Sequence, residues 1–244
     1  MRTASTSRVL VIGDVMLDQF LWGHVKRISP EAPVPVVEFE RESFMPGGAA
    51  NVARNLTALG TGVELFGLVG KDDGAKRLRA LLKGDAVGSG GLKPVSDRMT
   101  TRKTRVVAHQ QQVVRIDRET KQAGDSRTTK RLLSAVEKEL VGTGAIVVAD
   151  YNKGVVTQEL LEGLRALCRP RGIWLSLDPK PSHQLDISGL SLITPNRGEL
   201  FELAGLTDET RHSNPLRDKN LIAAVKAVQV AYHPALLLVT LSEQ

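Results

Sequence analysis

A series of short apolar runs, each closed by a polar residue or a glycine, constrains this chain most. Val9-Leu10-Val11-Ile12 runs into Gly13-Asp14, Val63 to Val69 into Gly70, and Ala145 to Ala149 into Asp150. Ile173 to Leu177 runs into Asp178, and Ser191 to Thr194 into Pro195-Asn196. Runs without polar alternation read as strands buried on both faces, which is how parallel strands under helical layers behave. Between them the apolar residues recur at helical spacing: Leu78, Leu81 and Leu82, then Leu132, Leu133, Val136 and Leu140, then the stretches 157–167 and 220–232. A last extended run covers Ala235 to Thr240. This alternation predicts an α/β fold, a doubly wound, mostly parallel sheet flanked by helices. The glycine-rich stretch from Lys83 to Gly91 reads as a loop.

In open α/β sheets, ligands bind beyond the C-terminal ends of the strands. Asp14 is thereby a site candidate and Asp18 a weaker one, since a carboxylate accepts hydrogen bonds from hydroxyls. An N-cap or turn role is the plainer alternative for a strand-end aspartate. Asp150 and Lys153 follow another strand end, and Lys180 follows a third, where a point positive charge can meet a phosphate. Asn196 and Glu199 have the spacing of an ordinary capped helix start.

Two stretches break the α/β rhythm. Pro30, Pro33 and Pro35 forbid a helix between Phe20 and Glu40 and confine any strand there to an edge. Thr101 to Ile116 reads as two strands joined near His109-Gln110. Together, segments of about 18–42 and 98–118 predict a small β-flap over the strand ends, inserted in a single domain spanning 1–244. Its free edges invite pairing with a second copy, so a homodimer is expected. Between the two excursions, Gly47-Gly48 leads into good helix formers with Asn51 in the first turn, and Gly60 ends the run. Glycine admits a ligand close to the backbone, and a helix start offers unpaired N–H groups and a positive dipole end. The product is a cradle for a hydroxylated or anionic small molecule.

Composition narrows the partners. The net charge of +6 suits an anionic ligand, but basic and acidic residues are interspersed and aromatics are only 4%, which leaves few stacking platforms for nucleic acid. No apolar run approaches the ~20 residues of a membrane span, so no membrane partner is expected. One cysteine, Cys168, excludes an internal disulfide and fits a reducing cytoplasm.

Gly47-Gly48-x-x-Asn51-x-Ala53, then Gly60 and Gly70, resembles the first signature of the ribokinase-like (PfkB) sugar kinases. Asp14-Val15-Met16-Leu17-Asp18, Gly23, Arg27-Ile28-Ser29-Pro30-Glu31-Ala32-Pro33-Val34-Pro35-Val36 and Val106 to Asp117 resemble the heptose 7-phosphate kinases of that family, which occur alone or as half of bifunctional ADP-heptose synthases. The resemblance implies ATP and Mg²⁺ as cofactors, and a sugar phosphate bound by Asp14, Gly47, Gly48, Asn51, Arg105, Asp150 and Lys153. It implies a nucleotide site of Lys180, Asn196, Glu199, Thr240 and Ser242. Asn196-x-x-Glu199 resembles the family's Asn-x-x-Glu, and Glu199 would order magnesium through water, consistent with an ion that keeps several of its waters. The implied reaction transfers the γ-phosphate of ATP to the anomeric hydroxyl of D-glycero-β-D-manno-heptose 7-phosphate, a step toward lipopolysaccharide cores.

The family's second signature, Asp-x-x-Gly-Ala-Gly-Asp, supplies an anion hole and the general base. It has no counterpart before Gln244; the nearest string, Gln122-Ala123-Gly124-Asp125, lies between the flap and a helix, far too early in the order. The expectation is a family domain lacking its C-terminal part and at best feebly active, since loss of the base alone forfeits roughly 10²–10⁴ in rate.

Overall fold

The structure is a computed structural model that describes residues 8–241. Strand β1 (Arg8–Gly13) lies inside the main sheet, flanked in parallel by β4 (Val63–Val69) and β8 (Thr143–Ala149). Beyond β4 lies the edge strand β5 (Gly88–Pro94). Beyond β8 follow β9 (Trp174–Asp178), β10 (Leu192–Ile193) and β11 (Leu236–Leu237). The order is β11-β10-β9-β8-β1-β4-β5, and every neighbouring pair is parallel.

Strand periodicity divides the core in two. Leu10, Ile12, Phe66, Leu68, Ile146 and Val148 belong to the larger core. That core includes buried residues of α3 (Ser126–Lys138), α4 (Gln158–Cys168), α5 (Arg197–Ala204) and α6 (Lys219–Tyr232). Val11, Leu65, Val69 and Leu92 face the other way, onto α1 (Ala49–Ala58) and α2 (Asp73–Gly84). Ile146 and Leu160 are completely buried, so truncating either to alanine costs about 2–5 kcal/mol.

The stretch 83–91 is not the loop that its glycines suggest. α2 runs through Gly84, and β5 takes Gly88 onward. Pairing with β4 overrides glycine's poor strand preference, and Glu64 Oε1 accepts the Gly91 N–H at 3.1 Å. The final extended run is also shorter than 235–240: β11 covers two residues, with an isolated bridge between Thr240 and Asn196 beyond it.

A second sheet stands over the C-terminal ends of these strands. It comprises β2 (Val15–Ile28), β3 (Pro35–Gly48), β6 (Arg102–Ala108) and β7 (Gln111–Arg118), in the order β3-β2-β6-β7. β2 pairs antiparallel with β3 and parallel with β6. β6 and β7 form a hairpin through His109 (φ 50°) and Gln110 (φ 64°), the two left-handed residues of a type I′-like turn. Pro35 opens the edge strand β3, where no ladder donor is needed. Only Asp14 separates β1 from β2, and β3 passes directly into α1. The lid is thus rooted in the sheet at one end and in a helix start at the other.

Candidate functional site: a cleft between lid and helix start

Where the lid meets α1 there is a cleft of about 350 Å³, lined by Asp18, Phe20, Met45, Pro46, Gly47, Gly48, Asn51 and Arg105. The other long helices begin under a side-chain cap: Asp72, Asp125, Thr157, Asn196 and Asp218 each accept a first-turn N–H. α1 begins at Gly48 with no side-chain cap, leaving its positive end to face the cleft. Gly48 has φ 59°, and a Cβ there would collide with the Asp14 carbonyl; a Cβ on Gly47 would collide with the Asp18 carboxylate. No other residue fits either position without moving the site.

The lid supplies the opposite wall. Asp18 and Phe20 lie on one face of β2, as the strand period of two requires. Arg105 of β6 is in register with Phe20. Its Nη1 donates to Asp18 Oδ1 at 2.5 Å, and its guanidinium lies 5.3 Å from the Phe20 ring centre. Phe20 in turn stacks on Trp22 at 5.9 Å, whose indole N–H donates to Ser43 Oγ.

Asp14 is placed differently from the sequence expectation. It is 1% exposed and does not line the cleft. Its Oδ2 accepts the N–H groups of Tyr151 and Lys153, and its Oδ1 that of Val155, at 2.8–3.0 Å. Its carbonyl accepts the Ala49 N–H at 2.9 Å. Asp14 therefore ties the β8 exit loop to the first turn of α1. Burial pushes its carboxyl above the usual range, against the lowering effect of those three donors. Asp150 is likewise buried, with Oδ1 accepting the Asn152 N–H and Oδ2 2.8 Å from His183 Nδ1. The Lys153 ammonium sits 2.7 Å from Glu119 at the foot of the lid.

On the other side of this loop are the residues assigned to the nucleotide. Asn196 and Glu199 form a complete capping box at the start of α5, at 3.0 Å in both directions. Glu199 Oε1 is 3.4 Å from the Lys180 ammonium. Burial, then the charge of Glu199, raises the Asp178 carboxyl. Two carboxylates that repel beside a lysine suit a hydrated divalent cation carrying phosphates. Thr240 reaches the same place: its carbonyl accepts the Arg197 N–H. Ser242 lies outside the described residues. Tyr151 stands between the halves, its hydroxyl pushed up by burial and then by Asp178, Asp14, Asp18 and Glu199. Asp14, Asp150, Lys153, Asp178, Lys180, Asn196, Glu199 and Thr240 stand at or beyond the C-terminal ends of β1, β8, β9, β10 and β11.

Of the two aspartates, Asp18 is the one that lines the cleft, while Asp14 holds the loop behind it. The signal that could have found Asp18 is its period-two pairing with Phe20 on a flap strand. Nothing local in the sequence marks Glu119, His183 or Arg98. A larger groove of about 900 Å³ lies between β5 and α3, but it shares no residue with the strand-end site.

A model of the pfkB family of carbohydrate kinases matches residues 6–244. The bifunctional protein HldE of Helicobacter pylori strain J99 is 40% identical over 237 residues, 97% of this chain and 50% of that protein. HldE of Caulobacter vibrioides is 39% identical over 94% of the chain and 47% of its own length. The chain thus spans about half the length of the curated relatives it matches. Among solved structures, Escherichia coli phosphofructokinase-2 superposes with a TM-score of 0.74 at 20% identity, over 98% of this chain and 75% of that one. Arabidopsis thaliana ribokinase complexed with ribose and ATP gives 0.67 at 16%, over 96% and 72%. Taken with the lid, the parallel sheet and the glycine-started helix, the match over residues 6–244 shows that this chain belongs to the pfkB family of carbohydrate kinases.

Proposed function

We propose that this kinase fold acts on D-glycero-β-D-manno-heptose 7-phosphate, with ATP as phosphoryl donor. The observation that carries the reading is the convergence of an uncapped helix start, a carboxylate and an arginine on one cleft. Sugar hydroxyls donate to Asp18 and accept from Asn51 and the α1 N–H groups. Arg105 spends one of its five donors on Asp18, leaving others for the 7-phosphate. The runs that resemble heptose 7-phosphate kinases, Asp14 to Asp18, Arg27 to Val36 and Val106 to Asp117, support a heptose over other sugars.

In the transfer, the anomeric oxygen forms a bond to the γ-phosphorus as the bond to the bridging oxygen breaks and ADP leaves. Mg²⁺, when bound, neutralises charge on the phosphates. Lys180 supplies a further positive charge, and Asp178 and Glu199 fit the ion through its waters. Among the described residues the only carboxylate lining the cleft is Asp18, already held by Arg105. This reading therefore assigns the general base to a residue outside 8–241. The exposed strands β3 and β7 at the lid's edges, with Val113, Val114 and Ile116 uncovered on β7, favour a homodimer. The homodimer would work in the cytoplasm of a cell that builds ADP-heptose.

Calorimetric titration tests the reading. Heptose 7-phosphate should bind at least about tenfold more tightly than ribose or fructose 6-phosphate, by more than 1.4 kcal/mol. Equal affinities would remove the heptose assignment. Full ADP release by a chain trimmed to residues 8–241 would remove the assignment of the base, and a monomer in sedimentation would remove the dimer.

A further inference from the structure

Arg98 is 9% exposed. Among the described residues it has no carboxylate within ion-pair distance. Burial lowers the pKa of its guanidinium, and Asp14, across the loop, is the opposing charge. Three backbone carbonyls take its donors instead. Nη1 reaches Lys153 at 2.8 Å and Thr120 at 3.3 Å, and Nη2 reaches Gln122 at 2.6 Å. Those carbonyls belong to two segments far apart in sequence, the stretch after β7 and the loop after β8. Arg98 itself sits just ahead of β6. One fork thus joins both ends of the β6–β7 hairpin to the loop that Asp14 holds from the other side.

The neighbouring contacts run the same way. The Thr100 N–H donates to Asp72 Oδ2 at 2.8 Å, and Thr100 Oγ1 accepts the Gly70 N–H at 2.9 Å. The β6 root is thereby fixed to the end of β4 and the cap of α2. Glu119 meets the Lys153 ammonium, and Gly124 N–H donates to the Gly154 carbonyl at 2.9 Å. Lys153 is gripped by its N–H from Asp14 and by its carbonyl from Arg98. Arg105 stands farther along the strand that Arg98 anchors.

We propose that Arg98 is a positioning residue that sets how the lid strand carrying Arg105, which lines the cleft, sits against the loop carrying Lys153. Its ligand side rests on the function proposed above; its mechanical side does not. A lysine keeps the charge but cannot span three carbonyls, because its ammonium is a compact point charge and not a planar fork.

The test uses the full chain and two variants, Arg98→Lys and Arg98→Met, with native-state hydrogen exchange and calorimetry. In Arg98→Lys the amides of Tyr151, Lys153 and Val155 should exchange about tenfold faster, together with residues 99–101, while β1 amides stay at the wild-type rate. Affinity for heptose 7-phosphate should fall about tenfold, with ATP affinity within about twofold of wild type. Wild-type exchange in the loop of both variants would overturn the proposal. So would an equal loss of affinity for both ligands, which marks a merely structural role. Failure of the wild-type chain to bind heptose 7-phosphate would sink the proposed function instead, and the exchange rates would still decide the clamp.

Discussion

At the scale of single residues, Asp14 and Asp18 stand four apart and do opposite work. Asp14 is sealed in and accepts three backbone N–H groups; Asp18 faces the cleft and shares its charge with Arg105. Asp14→Ala orphans three donors, so urea unfolding should show a loss of about 3 kcal/mol or more. Asp18→Asn breaks a partly exposed ion pair, so stability should change by less than about 1 kcal/mol. Heptose 7-phosphate binding should nonetheless weaken more than about tenfold. The reverse pattern would exchange the two roles. A strand ending in Gly-Asp is legible in sequence, but whether its carboxylate is spent on a loop is not. That depends on where residues 151–155 fold, and they are more than a hundred positions away.

Among the elements, the parallel strands and amphipathic helices were legible because their apolar spacing is a local property. Helix starts were also legible: Asp125, Thr157 and Asn196 cap where their side-chain chemistry directs. β5 was not, because a glycine-rich strand is made by its partner β4 and not by its own residues. The parallel pairing of β2 with β6 was hidden for the same reason: it joins segments separated by two helices and three strands. The β6–β7 turn was legible in place, if not in detail. Gln110 there has φ 64° without being glycine, a conformation that costs an L-residue about 1 kcal/mol. Gln110→Gly should raise stability by about 0.5 kcal/mol, after the entropy of the freer unfolded chain is subtracted. Thermal unfolding of the variant checks the sign.

For the whole molecule, acid sensitivity follows from one buried network. Arg197 at the start of α5 donates to Asp208 and Asp218, which fasten the segment 208–218 to that helix and to α6. Thr210, ahead of Arg197 in effect, holds Asp218 far below the usual carboxylate range; Arg197 lowers the Asp208 carboxyl. A depressed carboxyl stabilises the fold above its unfolded value, near 3.9, and the contribution is lost as pH falls through the folded value. Asp14 and Asp178 are raised and carry the opposite sign: protonation relieves them as pH falls. Stability should hold from about pH 6 to pH 4.5 and drop steeply below about pH 4, where the Arg197 network comes apart. Asp218→Asn should flatten that drop in urea titrations at pH 3 and pH 6. The strand-end aspartates and the helix periods made the sheet and its site edge legible in the sequence. This network was not, because Arg197 looks like any first-turn residue.

The Phe20–Trp22 stack has a practical corollary. The indole rests against the ring that walls the cleft on the lid side and shares its strand with the cleft's carboxylate. The chain's other tryptophan, Trp174, opens β9 in the central sheet. An incoming carbohydrate that shifts Phe20 must change the surroundings of one fluorophore and leave the other alone. Intrinsic emission should therefore report occupancy without any label, and the optical signal should vanish in Trp22→Phe while persisting in Trp174→Phe.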